Sequence, residues 1–222
     1  MNTKKILVTG FEPYAGRGSN PAFEVMKALN GRTFGSMTVV GEGLPVSLPG
    51  MRAKLHACLD TVRPAAVVSL GLWPGEAMIR LERIGINMAD FEIPDNEGVL
   101  LKETVVSQDP AAAHWSTLPL AAIETALLDA GIPVRMSSTA GTYLCNACLF
   151  SLMEGLAARG ATIPAGFIHL PYMPEQVAII LDDLRAGRVM ELHQRADVAS
   201  MELSRTLRAV EIAIGVVVNG QP

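Results

Sequence analysis

At 222 residues, half of them apolar and 18% charged, the chain is long enough to bury a sizeable core, and one domain over 1–222 is expected. Its net charge is −4 with no lysine or arginine cluster, which argues against nucleic acid or an anionic membrane surface as a partner. No apolar run approaches the ~18–20 residues of a membrane span, Ile6-Leu7-Val8 is too short for a secretion signal, and three cysteines without such a signal predict reduced thiols in the cytoplasm.

Taken in order, short β-rich runs alternate with helical patterns. KKILVTG, 4–10, reads as a strand. A helix follows over 20–31, with Asn20 as cap, Pro21 in the first turn and Gly31 as stop. A strand over 37–46 precedes a helix over 50–62. PAAVVSLGL, 64–72, is a continuous apolar run of the kind found in a central strand covered on both faces. Residues 77–88 read as one further strand, and 89–98, with Pro94, Asp95, Asn96 and Gly98, as a loop. Then come a helix ending at Gly131, a strand over 133–138, a helix over 145–160 and a strand over 165–171 stopped by Pro171. A helix over 174–187 and a last helix over 200–215, capped by Ser200, complete the order. This alternation predicts a single α/β domain with a mostly parallel sheet between helix layers. Sites in such sheets lie beyond the C-terminal ends of the strands.

The segment AGTYLCNACLF, 140–150, holds two of the three cysteines. Three chemistries compete for it. A redox pair needs a thioredoxin-like context, which places the motif after an early strand. A zinc site needs two more ligands, but Cys58 is alone on a helix and the histidines are scattered at 56, 114, 169 and 193. The third reading is one reactive thiol. Cys145 stands where a loop enters a helix, where unpaired N–H groups favour a thiolate. Gly141 allows unusual backbone angles just before it, and Asn146 is a polar neighbour. Cys148 lies one turn on, among Ala147, Leu149 and Phe150, and reads as a packed core residue, as does Cys58.

A cysteine nucleophile needs a base and a group to orient it. His56 and His193 fall in helical stretches with charged neighbours and read as solvated; His114 carries no signal. His169 ends an apolar strand, a position equally open to a structural and a catalytic histidine. Glu82, in the strand-like IRLERIGIN, would need a partner if buried; the plainer reading is a surface ion pair with Arg80 or Arg83.

Several separated motifs, in order, resemble the pyroglutamyl peptidase I family of cysteine peptidases: TGFEPYAGRGSNP, LERIGIN followed by IPDNEG, STAGTYLCN, GFIHLPYMPEQ and SMEL at the start of the final helix. The resemblance covers nearly the whole chain. It implies a three-layer α/β/α sandwich and removal of N-terminal pyroglutamyl residues from small peptide or amide substrates, without cofactor or metal. It also implies assembly as a homotetramer. Position by position, it makes Cys145 the nucleophile, His169 its base and Glu82 the residue orienting the histidine. Phe11, Tyr14, Ile93 and Leu144 match positions lining the substrate pocket, with core filler as the other reading of Phe11 and Leu144. Asn20 matches a polar residue that supports the N-terminal loop.

The departures are local. The family pattern Gly-Gln-Ala-Gly-Gly-Arg reads here Gly71-Leu72-Trp73-Pro74-Gly75-Glu76, and a second family arginine falls at Glu92. Leu72 has no group to pair with a lactam, so Tyr14, where phenylalanine is usual, is the candidate replacement. Glu76 and Glu92 reverse two positive charges beside the catalytic set. These changes keep a second enzymatic reading open, a cysteine amidohydrolase of the same fold acting on another small acyl or cyclic amide. A binding or redox protein is the non-enzymatic alternative.

Overall fold

The computed structural model describes residues 4–188 and 199–220. His193, read above as a solvated helical histidine, lies outside the described residues. Among the described residues seven strands form the main sheet: β1 (Lys4–Phe11), β2 (Thr33–Phe34), β3 (Met37–Leu44), β4 (Ala66–Leu72), β5 (Ile79–Glu82), β8 (Val134–Ser137) and β9 (Ala165–Leu170). Their order is β2-β3-β1-β4-β9-β5-β8. The pairs β1–β3, β1–β4, β4–β9 and β5–β8 are parallel; β5–β9 and β2–β3 are antiparallel. This mostly parallel sheet is flanked by helices, the expected α/β/α class.

Every residue of β4 and β9 is buried, as continuous apolar runs require of strands covered on both faces. Side chains alternate between the two faces. Ile6, Val8, Val68, Leu70, Leu81 and Ile168 point to one face. There they meet α1 (Pro21–Leu29), α3 (Leu120–Asp129) and α6 (Leu203–Asn219). Leu7, Phe11, Val67 and Phe167 point to the other, against α2 (Leu48–Val62) and α4 (Leu144–Ala158). The same alternation puts Gly71, Arg80, Glu82 and His169 on the α2–α4 face. Helix α5 (Pro174–Arg185) presses Ile180 on Leu72 and Tyr172 at the C-terminal ends of β4 and β9.

Three expectations are corrected. The single strand read over 77–88 is two: β5 in the main sheet and β6 (Ile84–Ile86), which pairs antiparallel with β7 (Ala113–Trp115). Alternation marks extended chain but does not choose its neighbour. Second, Ser200 does not cap the last helix. It bridges to Tyr172, the Met201 N–H donates to the Tyr172 carbonyl at 2.9 Å, and α6 starts at Leu203 after Glu202. Met201 is buried, so the chain stays extended until that side chain is inside. Third, His56 is half-buried, with Nε2 3.4 Å from the Ser151 carbonyl, rather than solvated.

Candidate active site

The site lies beyond the C-terminal ends of β4 and β9, where the loop after β8 enters α4. Residues 138–143 make the turn, with Gly141 at φ +78, a left-handed angle that favours glycine. The first helical bond of α4 runs from the Ala147 N–H to the Tyr143 carbonyl. The N–H groups of Leu144, Cys145 and Asn146 therefore have no acceptor within the helix. Asn146 is not merely a polar neighbour. Its Oδ1 accepts from the Ile86 N–H at 2.8 Å, and its Nδ2 donates to the Ile86 and Met88 carbonyls, both at 2.9 Å, tying the helix start to β6.

Cys145 is half-buried and lines a cavity of about 330 Å³ together with His169. Its sulfur lies against Gly71, where a Cβ would stand 2.7 Å from Sγ. Gly71 is the register partner of His169 in the β4–β9 ladder. Only a residue without a side chain leaves the sulfur this place beside the histidine's strand. Burial pushes the Cys145 thiol well above its ordinary value, and Cys148 and the Glu82 carboxylate add to the rise. The helix start by itself favours a thiolate, and burial in apolar surroundings works in the opposite direction. Cys148 is fully buried and its thiol is pushed up to about 12, chiefly by burial, against the lowering effect of Ser69. Cys58 is buried on α2.

His169 is buried, with Nδ1 2.8 Å from Glu82 Oε1. Burial lowers its pKa, and the Glu82 carboxylate opposes that without reversing it. Glu82 is fully buried. Burial pushes its carboxyl up, but His169, Ser137 and Arg80 together hold it below the ordinary range. Both shifts disfavour the charged forms, the thiolate and the imidazolium. Arg80 is the ion-pair partner of Glu82, with Nε 3.1 Å from Oε1, in the interior rather than on the surface.

All six sequence-named pocket positions come to this one cavity: Phe11, Tyr14, Asn20, Leu72, Ile93 and Leu144. Phe11 and Leu144 are also core residues, at 3% and 1% exposed, so each sits both in the core and at the cavity wall. Asn20 caps α1, accepting from the Ala22 N–H at 3.0 Å, and donates to the Glu12 carbonyl at 3.1 Å, which braces the loop after β1. Tyr14 packs with Leu72. Burial pushes its phenol up while Arg17 opposes, and the residue lines the pocket.

The two charge reversals separate. Glu92 is exposed and lines the pocket. Glu76 does not line it: it is buried in ion pairs with Arg80, 3.3 Å, and Arg135, 2.6 Å, which cancel its charge. Sequence reasoning named Arg80 only as a surface ion-pair partner, and it missed the wall residues Trp73, Thr139 and Tyr143. The signal for Arg80 was its period-2 spacing from Glu82, which puts both on one face of β5. Elsewhere, His114 sits on β7, 3.2 Å from Asp109 and against the Phe150 ring. Among the described residues no group of three or more His, Cys, Asp or Glu is placed to hold a metal ion, and no helix is long and apolar enough to cross a membrane.

A family profile described as pyroglutamyl peptidase matches residues 4–220. The chain is 37% identical over 213 residues to the pyrrolidone-carboxylate peptidase of Thermococcus litoralis, covering 96% of this chain and 92% of that one. It is 40% identical over 212 residues to that of Gloeobacter violaceus, covering 96% of both. Among solved structures, a pyrrolidone carboxyl peptidase from Pyrococcus furiosus superposes with a TM-score of 0.88 at 36% identity, covering 97% of this chain and 98% of the other.

Proposed function

This chain belongs to the pyroglutamyl peptidase family, and from that premise we propose that Cys145, His169 and Glu82 carry out its reaction. The protein is a cysteine-type peptidase that removes an N-terminal pyroglutamyl residue from peptides. The observation that carries the residue assignment is the buried Glu82–His169 contact of 2.8 Å at a cavity that also holds the Cys145 thiol.

The proposed chemistry starts from a thiol and an imidazole, the forms that burial favours. As the Cys145 sulfur attacks the pyroglutamyl carbonyl carbon, its proton passes to His169 Nε2. Glu82 keeps Nδ1–H oriented and stabilises the imidazolium that forms. The oxyanion takes hydrogen bonds from the free N–H groups at the start of α4. His169 then protonates the leaving amine and the C–N bond breaks, leaving a thioester. Water, deprotonated by the same imidazole, attacks the thioester, and the sulfur leaves and takes the proton back. The ring is held by the apolar wall of Phe11, Leu72, Ile93 and Leu144, with the Tyr14 hydroxyl as its polar contact. Leu72, which has no amide to offer, is also what keeps a different small cyclic amide as the second reading.

Initial rates on pyroglutamyl aminomethylcoumarin test the assignment. Cys145→Ala and His169→Ala each abolish turnover, and the double variant loses little more, because the residues act as a unit. Additive losses, or residual turnover by Cys145→Ala, sink it.

We further propose that residues 1–222 form one domain and that the enzyme works in the cytoplasm as a homotetramer. Reduced cysteines support the compartment. Exposed Met88, Val99, Leu100 and Val105 give the 88–105 segment apolar surface suited to subunit contact. Light scattering on a sizing column measures the mass, and a monomer at micromolar concentration excludes the tetramer.

A further inference from the structure

Arg80 is buried, 5% exposed, and no step above uses it. A buried guanidinium is costly unless its N–H groups find acceptors. Those of Arg80 are spread over separate parts of the site. Nε donates to Glu82 Oε1 at 3.1 Å and Nη1 to Glu76 Oε2 at 3.3 Å. Nη2 donates to Ser137 Oγ at 2.7 Å and to the Thr139 carbonyl at 3.0 Å. The guanidinium plane covers Trp73, 3.7 Å from the ring centre. Trp73 in turn meets the His169 ring edge-on, with centroids 5.0 Å apart. Arg80 is also the cross-strand partner of His169 in the β5–β9 pair.

We propose that Arg80 is a positioning residue for the hydrolysis: it holds the Glu82 carboxylate against His169, carries Trp73 as the wall beside the imidazole, and pins the Thr139 loop that leads to Cys145. The inference rests on the triad reading given above. Glu82 Oε1 is shared by His169 and Arg80, while Oε2 is buried with no hydrogen-bond partner among the described residues. His169 and Arg80 thus hold the carboxylate by one shared oxygen, and Ser137, itself bonded to Arg80, also acts on it. Trp73 also reaches Gly141, its ring atoms 3.6 Å from where a Cβ there would stand, so the stack extends to the turn before α4.

The role has a charge component separable from its geometry. The charged and titratable groups facing His169 are Glu82 and Arg80 from β5, Glu76 from the loop after β4 and Cys145 from α4. The Arg80 charge disfavours the imidazolium and the two carboxylates favour it. Removing the guanidinium takes away a charge that disfavours the imidazolium, while Arg135 still pairs with Glu76, and moves the acid limb of kcat/KM to higher pH, since that limb reports the free enzyme. A lysine restores a positive charge but not the planar fork or the stack on Trp73.

The experiment compares pH–rate profiles of the unaltered enzyme, Arg80→Met, Arg80→Lys and Cys145→Ala on pyroglutamyl aminomethylcoumarin, with thermal unfolding run beside them. Arg80→Met lowers kcat roughly a hundredfold, the effect of about 1 Å of misplacement at the reacting groups, changes KM less, and shifts the acid limb upward. Arg80→Lys also lowers kcat but keeps the limb at its original pH. Arg80→Met with unaltered kcat, or with reduced kcat and an unmoved limb, overturns the proposal in favour of a purely structural arginine. Should Arg80→Met not fold, Arg80→Lys decides alone, and an unaltered kcat there overturns it. Turnover by Cys145→Ala defeats the triad reading itself, whereas an inactive Cys145→Ala beside fully active Arg80 variants defeats only this inference.

Discussion

Gly71→Ala is the sharpest test of how the nucleophile is held. The added Cβ would lie 2.7 Å from Cys145 Sγ, 2.6 Å from Phe167 Cζ and 2.9 Å from Phe167 Cε1. Comfortable contacts begin near ~3.5 Å, so roughly 0.6–0.9 Å must be found at each. Phe167 is fully buried and its ring lies against His169, with centroids 4.8 Å apart. The sulfur, half-exposed to the cavity, is the atom free to move. A shift of about 1 Å in a reacting atom costs roughly a hundredfold in rate, and overpacking costs about 1–3 kcal/mol of stability. At roughly 2–4 °C per kcal/mol for a chain of this size, that loss is visible in a melting curve without unfolding the protein. The assay is kcat and KM on pyroglutamyl aminomethylcoumarin, alongside the melting temperature. Gly215→Ala serves as the control, because a Cβ on that α6 glycine meets nothing within 4 Å; its kcat stays unaltered. A folded Gly71→Ala enzyme with unaltered kcat would refute the reasoning, because the sulfur would then not depend on the space at Gly71.

Four further outcomes are expected. Mass-mapped iodoacetamide labelling modifies Cys145 first, since Cys58 and Cys148 are buried and burial raises both thiols. Because the Cys145 thiol is also raised, its labelling rate climbs with pH through and beyond neutrality; faster labelling of Cys148 removes the nucleophile assignment. Tyr14→Phe lowers kcat/KM about tenfold or more, the worth of one buried hydrogen bond to the substrate ring. Leu72→Gln raises turnover of the same substrate while lowering the melting temperature, because Leu72 packs on Tyr172 and Ile180; no change in kcat/KM from either variant assigns ring recognition elsewhere. Glu92→Arg reverses preference between basic and acidic residues following the pyroglutamyl group by several-fold, the size of an exposed charge interaction of up to ~1 kcal/mol. The effect fades in high salt, and an unchanged preference places the leaving peptide away from Glu92.

The sequence by itself determined the α/β class, the central strands and the candidate triad. Continuous apolar runs such as AVVSLGL and AGFIHL have one stable environment, a sheet covered on both faces, and helix punctuation such as Asn20-Pro21 acts locally. Cys145 was legible because a thiol at a loop-to-helix entry has a local signature, and His169 and Glu82 because ordered motifs resembled a known family. What the chain order could not decide depends on pairing across distance. The split of 77–88 into β5 and β6 follows from which strand lies alongside, and the place of Ser200 from a bridge to Tyr172. Glu76 and Glu92 look alike as reversed charges in sequence. Yet one is cancelled by Arg80 and Arg135 in the interior and the other stands at the pocket. The upward shift of the Cys145 thiol likewise depends on how much apolar surface closes around it, a property of packing rather than of neighbours in the chain. Arg80 shows the same limit. Its spacing from Glu82 marks one strand face, but only the tertiary structure brings Trp73, Ser137, Thr139 and Glu76 within reach of one guanidinium.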